Sequence, residues 1–156
     1  NAGGVGVMLT DALTSVGFEV PQTPSDLREV LRKEFPPHFI VENPIDLTGD
    51  ANDERYIHVL DILVEKPYVD VIVAVVLPQV PGIKGTLIDH IAKLKNEYEK
   101  PIVVVTIGGE ASIEIARKLE EYKVTVFESP ERLAKALKAL YMYSTIKMRD
   151  NYYEES

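Results

Sequence analysis

The chain has 156 residues, no cysteine and a formal net charge of −8 at neutral pH. This length suits a single domain, and the acidic charge argues against nucleic acid as a partner. The lack of cysteine excludes disulfides, thiol catalysis and cysteinyl metal sites, and it suits a reducing, cytoplasmic setting. The residues given show no long apolar run and no signal-peptide pattern, so we expect no membrane partner.

The first part of the chain predicts two helices and one short strand. Apolar residues recur at helical spacing over Val5–Val16, and Gly17 is placed to end that helix. The tripeptide Phe18–Val20 follows as a candidate strand. A second helix is then predicted with Thr23 as its N-cap and Pro24 as its first residue.

A turn-rich stretch, Val41–Ala51, shows no clear period and leads to a helix predicted over Asp53–Glu65. Four acids in this region could bind a cation: Asp46, Asp50, Asp53 and Glu54. Asp50 and Asp53 are better interpreted as caps of the helix that follows them.

Two runs of β-branched residues predict strands that are buried on both faces of a parallel sheet. The first is Val69–Leu77, and the second lies in the stretch Lys100–Gly109. Each ends in a turn rich in glycine or proline. A helix follows each turn, to about Tyr98 in the first case and over Ala111–Glu121 in the second.

The chain closes with a short strand and a helix. Val124–Phe127 predicts the strand, and Ser129 with Pro130 predicts the N-cap and first residue of the helix. We expect one domain over residues 1–146 and a polar tail over residues 147–156, whose last residues fray.

This alternation of strands and helices predicts an α/β fold of the flavodoxin-like type, a doubly wound parallel sheet with helices on both faces. The first strand of such a sheet is normally central, but the opening "NAGGVG" has the character of a strand-to-helix turn with no strand in front of it. A sheet without that strand would leave backbone groups unpaired in the core. We therefore expect a fragment of a longer polypeptide, in which a preceding segment supplies the first strand.

Three turns are expected at the carboxyl edge of the sheet, where doubly wound folds bind ligands. They are "NAGGVG" (1–6), "PQVPGIKG" (78–85) and "IGGEAS" (107–112). Glycine allows the backbone to approach an anion, and each following helix directs free N–H groups at it, a contribution of ~0.3–2 kcal/mol. The same glycines also suit tight turns that bind nothing, so both interpretations stay open.

Common catalytic motifs do not describe this chain. "GGVGVM" has Leu9 where a dinucleotide fingerprint needs its third glycine, and no P-loop is present. The three histidines, His38, His58 and His90, are far apart and lack the spacing of a metal site or a catalytic triad. We predict no catalytic residue and no metal ligand.

Several stretches together resemble the carboxyl-terminal ligase domain of the NDP-forming acyl-CoA synthetases, in the CoA-binding (alpha) part of these enzymes. The superfamily also includes succinyl-CoA synthetase. The stretches are "NAGGVGVMLTDAL", "NPIDLTGDA", "KPIVVVTIGGEA" and "ARKLEEYKVTVFESPERLAKALKAL", and they run in order from Asn1 to about Tyr143. The resemblance implies a multidomain, ADP-forming ligase that converts acyl-CoA, typically acetyl-CoA, ADP and phosphate into free acid, CoA and ATP through a phosphohistidine.

The resemblance also implies what this domain does in such an enzyme. It would form part of the pocket that shields the phosphohistidine, and alone it would be inactive. The implied cradle comprises Asn1, Ala2, Gly3, Gly4, Pro81, Gly82, Ile83, Lys84, Gly108 and Gly109. Residues 81–84 open a helix similar to the family's phosphate-facing "power" helix. Backbone donors of this kind stabilise a phosphoryl group without supplying an acid that speeds its hydrolysis.

The implied partners are the CoA-binding, histidine-bearing and ATP-grasp domains of an oligomeric enzyme. CoA, ADP or ATP, phosphate and Mg would serve the whole enzyme, with none bound by this domain. Two other functions stay open. One is a non-catalytic regulatory domain of the same ancestry, as in protein acetyltransferases fused to synthetase-like modules, and the other is a flavodoxin-like binder of FMN or a nucleotide.

Overall fold

The computed structural model describes residues 1–154, with the side chains of residues 1–148. Within this part of the chain, the helices are α1 (Gly3–Ser15), α2 (Ser25–Glu34), α3 (Asp53–Val64), α4 (Gly85–Glu97), α5 (Gly109–Glu121) and α6 (Pro130–Glu154). The strands are β1 (Ile72–Val75), β2 (Ile102–Val105) and β3 (Thr125–Phe127). None of the described helices is long and apolar enough to cross a membrane.

The three strands form one parallel sheet in the order β1-β2-β3. Successive residues of β2 point to opposite faces. Val104 packs into a core cluster with α3, α4 and α5 on one face, whereas Val103 and Val105 pack against α1 and α6 on the other. The predicted α/β fold, with helices on both faces of a parallel sheet, is confirmed.

Two predicted helix boundaries are confirmed in detail. Gly17 ends α1 with a φ of +90°, and its N–H group donates to the Thr14 carbonyl. This left-handed conformation strains most residues other than glycine. At the other end of the chain, α6 begins at Pro130, and the Arg132 N–H group donates to the Ser129 hydroxyl at 3.4 Å.

The predicted strand Phe18–Val20 is wrong, because this segment is not in the sheet that the structure describes. Phe18 and Val20 instead line a groove that separates them from β1. A strand needs a neighbour for its backbone hydrogen bonds. The groove occupies the position of that neighbour.

The second helix starts one residue later than predicted. Pro24 has a φ of −55° and a ψ of 151°, so it is the N-cap and Ser25 is the first helical residue. Thr23 is buried instead of capping, and its carbonyl accepts a hydrogen bond from the Arg28 guanidinium at 2.9 Å.

Asn52, and neither Asp50 nor Asp53, caps α3. The Asn52 side-chain oxygen accepts the Arg55 N–H group at 3.0 Å. Asp50 forms an ion pair with the Arg55 guanidinium at 2.9 Å and accepts a hydrogen bond from the Thr48 hydroxyl. The caps were misassigned because Asn, Asp and Ser are nearly equivalent N-cap residues, and three candidates lie within four positions.

The polar tail predicted over residues 147–156 extends α6, and its fraying stays a prediction. Helix α6 continues to Glu154, and the last two residues lie outside the described part of the chain. Good helix formers such as Lys147, Met148 and Arg149 favour this continuation. The division of the chain at residue 146 stays a prediction.

Candidate functional site

The three glycine-containing turns lie at the carboxyl edge of the sheet, and hydrogen bonds connect them. The side chain of Asn1 pairs with the backbone of Leu77, just beyond β1: its Oδ1 accepts the Leu77 N–H at 3.0 Å, and its Nδ2 donates to the Leu77 carbonyl at 3.1 Å. The side chain of Gln79 donates to the Ile107 carbonyl at 3.3 Å and also to that of Gly108. The starts of α1 and α5 are therefore both fixed to the segment that follows β1.

The hydroxyl of Tyr56, in α3, connects the first turn to β1 by hydrogen bonds. Its hydroxyl lies 2.8 Å from Asn1 Oδ1 and 2.6 Å from the Val75 carbonyl, and it accepts a hydrogen bond from the Asn1 ammonium at 2.7 Å. Burial, with a smaller contribution from the Asp46 charge, raises the pKa of Tyr56 above its ordinary value. The hydroxyl is therefore a neutral, fixed hydrogen-bonding group and is not poised for proton transfer.

At the start of α1, Gly3 and Gly4 differ in their surroundings. A Cβ on Gly3 would lie 2.5 Å from Asp46 Oδ2, so any larger residue at this position would displace the carboxylate. Gly4 is exposed and has nothing within 4 Å of an added Cβ. Ala2, the N-cap, supplies no side-chain hydrogen bond. Gly4 is thus the accessible part of this helix start, and an anion there would share the helix end with Asp46.

A buried carboxylate occupies part of the start of α4. Asp53 is 8% exposed, and its two oxygens accept the N–H groups of Lys84 at 2.7 Å and Leu87 at 3.1 Å. Helix N-termini favour negative charge, so Asp53 acts as a cap supplied by α3. The sequence predicted that Asp53 binds a cation or caps α3. Its actual role was missed because its partners, Lys84 and Leu87, are more than 30 residues away.

The four predicted cradle residues Pro81–Lys84 provide few free donors. Proline has no N–H group, the Ile83 N–H donates to the Val80 carbonyl at 3.0 Å, and the Lys84 N–H is taken by Asp53. A Cβ on Gly82 would lie 2.4 Å from the Ala51 carbonyl oxygen, which fixes this turn against the start of α3. What this turn offers to a ligand is the exposed Lys84 side chain and the amides at positions 85–86, which Asp53 does not bind.

The start of α5 is the least obstructed of the three. Gly108 and Gly109 have φ values of +102° and +72°, so both need the conformational freedom of glycine. Gly109 is exposed with nothing within 4 Å of an added Cβ, and the N-cap Gly108 supplies no side chain. Ser112 is buried one turn later and donates to the Gly108 carbonyl at 2.9 Å, as expected for a first-turn residue rather than a nucleophile.

The histidines lie away from this edge, on or next to helices. His90 of α4 contacts Asp61 of α3 at 2.6 Å, and His58 contacts Glu34. Within the described residues, no group of three or more histidine and acidic side chains is arranged to hold a metal ion. The chemistry available at the carboxyl edge is therefore hydrogen bonding from backbone amides at Gly4 and Gly109, and the start of α4 adds the exposed Lys84 side chain.

Sequence reasoning missed the roles of three residues of this site: the hydrogen bonds of Tyr56, those of Gln79, and the cap that Asp53 provides for α4. Each acts across a separation of at least 19 residues, so no local spacing pattern reveals the contact. The only signal in the sequence was that these three residues are polar and lie at positions predicted to be buried or in a turn.

Comparison with known proteins identifies the family. The sequence pattern of the Ligase-CoA domain matches residues 1–148. The chain belongs to this family. The resemblance carried by "NAGGVG", "NPIDLTGD" and "SPER" is thereby confirmed.

Curated relatives of this Ligase-CoA domain include ADP-forming acetate–CoA ligases and an ADP-forming 4-hydroxybutyrate–CoA ligase. The chain is 30% identical to the alpha subunit of acetate–CoA ligase [ADP-forming] II of Pyrococcus furiosus, over 90% of this chain and 32% of that subunit. It is 28% identical to acetate–CoA ligase [ADP-forming] I of Archaeoglobus fulgidus, over 99% of this chain and 22% of that protein. The chain thus spans a third or less of the length of the relatives it matches.

A solved structure shares the fold. The dinucleotide-forming acetyl-coenzyme A synthetase 1 of Ca. Korarchaeum cryptofilum, in its complex with phosphate and ADP, superimposes with a TM-score of 0.82 at 29% identity. The match covers 93% of this chain and 32% of that one. Fold and sequence therefore agree on the family.

Proposed function

We propose that this chain is a domain of an ADP-forming acyl-CoA ligase and that its carboxyl sheet edge helps to shield a phosphohistidine carried by another domain. The whole enzyme would convert acyl-CoA, ADP and phosphate into free acid, CoA and ATP. Support comes from the names of the relatives, which are ADP-forming CoA ligases for acetate or 4-hydroxybutyrate, and from the family itself.

The observation that carries the proposal is the pair of accessible, glycine-containing helix starts at one edge. Gly4 of α1 and Gly109 of α5 are exposed, and neither helix has a side-chain cap. Free N–H groups and the positive end of the helix dipole favour a phosphoryl group there. Among the described residues, the donors that this edge offers at Gly4 and Gly109 are backbone amides, which suits a domain that protects a reactive phosphoramidate from water.

The partners of this domain would be a CoA-binding domain, a histidine-bearing domain and an ATP-grasp domain. The relatives are longer than this chain, which leaves room for such domains in the same polypeptide or complex. CoA, ADP or ATP, phosphate and Mg would bind to the assembled enzyme. The exposed Lys84 side chain, just before α4, would offset part of the phosphoryl charge.

Phosphorylating the full-length enzyme with ³²P-labelled phosphate tests this role. In Gly4→Leu the added Cβ meets no protein atom within 4 Å, and leucine has a higher helix propensity than glycine, so we expect the fold to be preserved. Loss of an anion contact worth ~0.3–2 kcal/mol would shorten the phosphohistidine lifetime about 2- to 30-fold.

The matched control is Val7→Leu, which adds bulk on the exposed face of the same helix, one turn further along. We expect the control to leave the lifetime unchanged. Equal lifetimes in Gly4→Leu and the unsubstituted enzyme would argue against the cradle. Failure of the full-length enzyme to form ATP from acetyl-CoA, ADP and phosphate would argue against the assigned activity.

A further inference from the structure

The peptide unit between Gly108 and Gly109, at the start of α5, has two orientations available to it. Turning a planar peptide unit over changes only the ψ of the residue before it and the φ of the residue after it. Both residues are glycines here, and glycine populates positive and negative φ with similar ease. The backbone alone therefore does not determine whether the Gly109 N–H group or the Gly108 carbonyl faces the open edge of the sheet.

Two side chains fix the carbonyl of Gly108. The Ser112 hydroxyl, buried in the first turn of α5, donates to this oxygen at 2.9 Å, and the Gln79 amide donates to it from the turn after β1. Turning the peptide unit over would break both hydrogen bonds. Each bond of this kind favours its arrangement about 2- to 12-fold, so the pair makes the observed orientation predominate.

The role of Gln79 follows from the way in which β1 ends. Val76 donates its N–H group to β2, and the next bond of this parallel pairing would join positions 78 and 107. Pro78 has no N–H group to donate. The Gln79 side chain donates to the Ile107 carbonyl at 3.3 Å instead, and the same nitrogen also donates to Gly108. Gln79 thus extends the pairing of the two strands and holds the start of α5.

The fixed carbonyl determines where the neighbouring N–H group points. The peptide bond between Gly108 and Gly109 is trans, and in a planar trans unit the C=O and N–H bonds point in opposite directions. Because the Gly108 carbonyl is directed at Ser112, the Gly109 N–H group points away from the helix, out of its exposed N-terminus. As the first residue of α5, Gly109 has no partner for this group inside the helix.

We propose that Gln79 and Ser112 are positioning residues, which hold the Gly108–Gly109 peptide unit so that its N–H group donates to the phosphoryl group of the phosphohistidine. This inference rests on the proposed function and adds two side chains that act on the cradle through the backbone. Without their hydrogen bonds, the unit turns over in part of the molecules. It then presents a carbonyl oxygen, which repels a phosphoryl group.

Phosphorylation of the full-length enzyme labelled with ¹⁵N-glycine tests this role. Gln79→Met keeps the length of an exposed side chain and removes its N–H donors, and Ser112→Ala removes the other donor. In the double variant, the downfield shift of the Gly109 amide proton on phosphorylation should fall to less than half, whereas that of Gly4 is retained. The phosphohistidine lifetime should shorten at least about 2-fold. If Ser112→Ala prevents folding, Gln79→Met alone decides, with the same expected changes.

The matched control is Gln22→Met, the same substitution at an exposed glutamine before α2, and it should leave both shifts and the lifetime unchanged. A Gly109 shift of full size in the Gln79 and Ser112 variants would overturn the inference, while the response of Gly4 would still support the proposed function. If neither Gly4 nor Gly109 responds in the unsubstituted enzyme, the proposed function fails and the inference fails with it.

Discussion

Replacing Asp53 with alanine should loosen the start of α4. The carboxylate is 8% exposed and accepts two backbone N–H groups, from Lys84 at 2.7 Å and Leu87 at 3.1 Å. Hydrogen bonds to a charged group contribute about 1.5–3 kcal/mol each, and part of this is offset because the substitution also removes a buried charge. We expect a net loss of about 2–4 kcal/mol in the local stability of α4.

Native-state hydrogen exchange of the Leu87 and Ile88 amides in the full-length protein measures this loss directly. A change of about 2–4 kcal/mol accelerates exchange by about 30- to 1,000-fold. Asp53→Asn retains an acceptor oxygen without the charge, so it should fall between the original residue and alanine. The matched control is Glu54→Ala, an exposed acid on the same first turn of α3. If Asp53→Ala accelerates exchange no more than Glu54→Ala, the capping role is refuted.

Three further predictions concern neighbouring contacts. Tyr56→Phe should lower the local free energy of unfolding by about 1–2 kcal/mol, measured by hydrogen exchange of the Leu77 amide. The control Tyr68→Phe removes an exposed hydroxyl and should lower it by less than about 0.5 kcal/mol. The Thr48 hydroxyl and then Arg55 hold the pKa of Asp50 at about 2, below 3.8, so its stabilising contribution is present above pH 3.8 and is lost as the pH falls toward 2. Thr48→Ala should raise this pKa in a carboxyl NMR titration, and an unchanged value would contradict the assignment. Gly82→Ala, with its Cβ 2.4 Å from a backbone oxygen, should destabilise the first turn of α3 by about 1–3 kcal/mol, and unaltered exchange there would count against the close approach.

Local patterns in the sequence were enough for most of the fold. The β-branched runs gave β1 and β2 because a strand buried on both faces has no polar alternation, and Ser129 with Pro130 gave the start of α6 because both residues act within one turn. The prediction of a strand at Phe18–Val20 was wrong because a strand needs a neighbouring strand, and the local sequence pattern does not show whether one is there.

The site was less accessible to sequence reasoning. The sheet topology alone predicts that the turns at 1–6, 78–85 and 107–112 share one edge, and the structure agrees. Which side chains lie beside those turns depends on long-range contacts. Asp46 against Gly3 and Asp53 at the start of α4 both place a carboxylate beside a predicted anion cradle, and neither contact follows from spacing. The accessible donors are thus fewer than the glycines suggested.

The most direct test of the proposed cradle is the response of its glycine amides to phosphorylation. In the full-length enzyme labelled with ¹⁵N-glycine, hydrogen bonding to a phosphoryl group should shift the amide protons of Gly4 and Gly109 downfield when the histidine is phosphorylated. Gly17, at the opposite end of α1, is the internal reference and should not move. Amide signals of Gly4 and Gly109 that stay as constant as that of Gly17 would contradict the account.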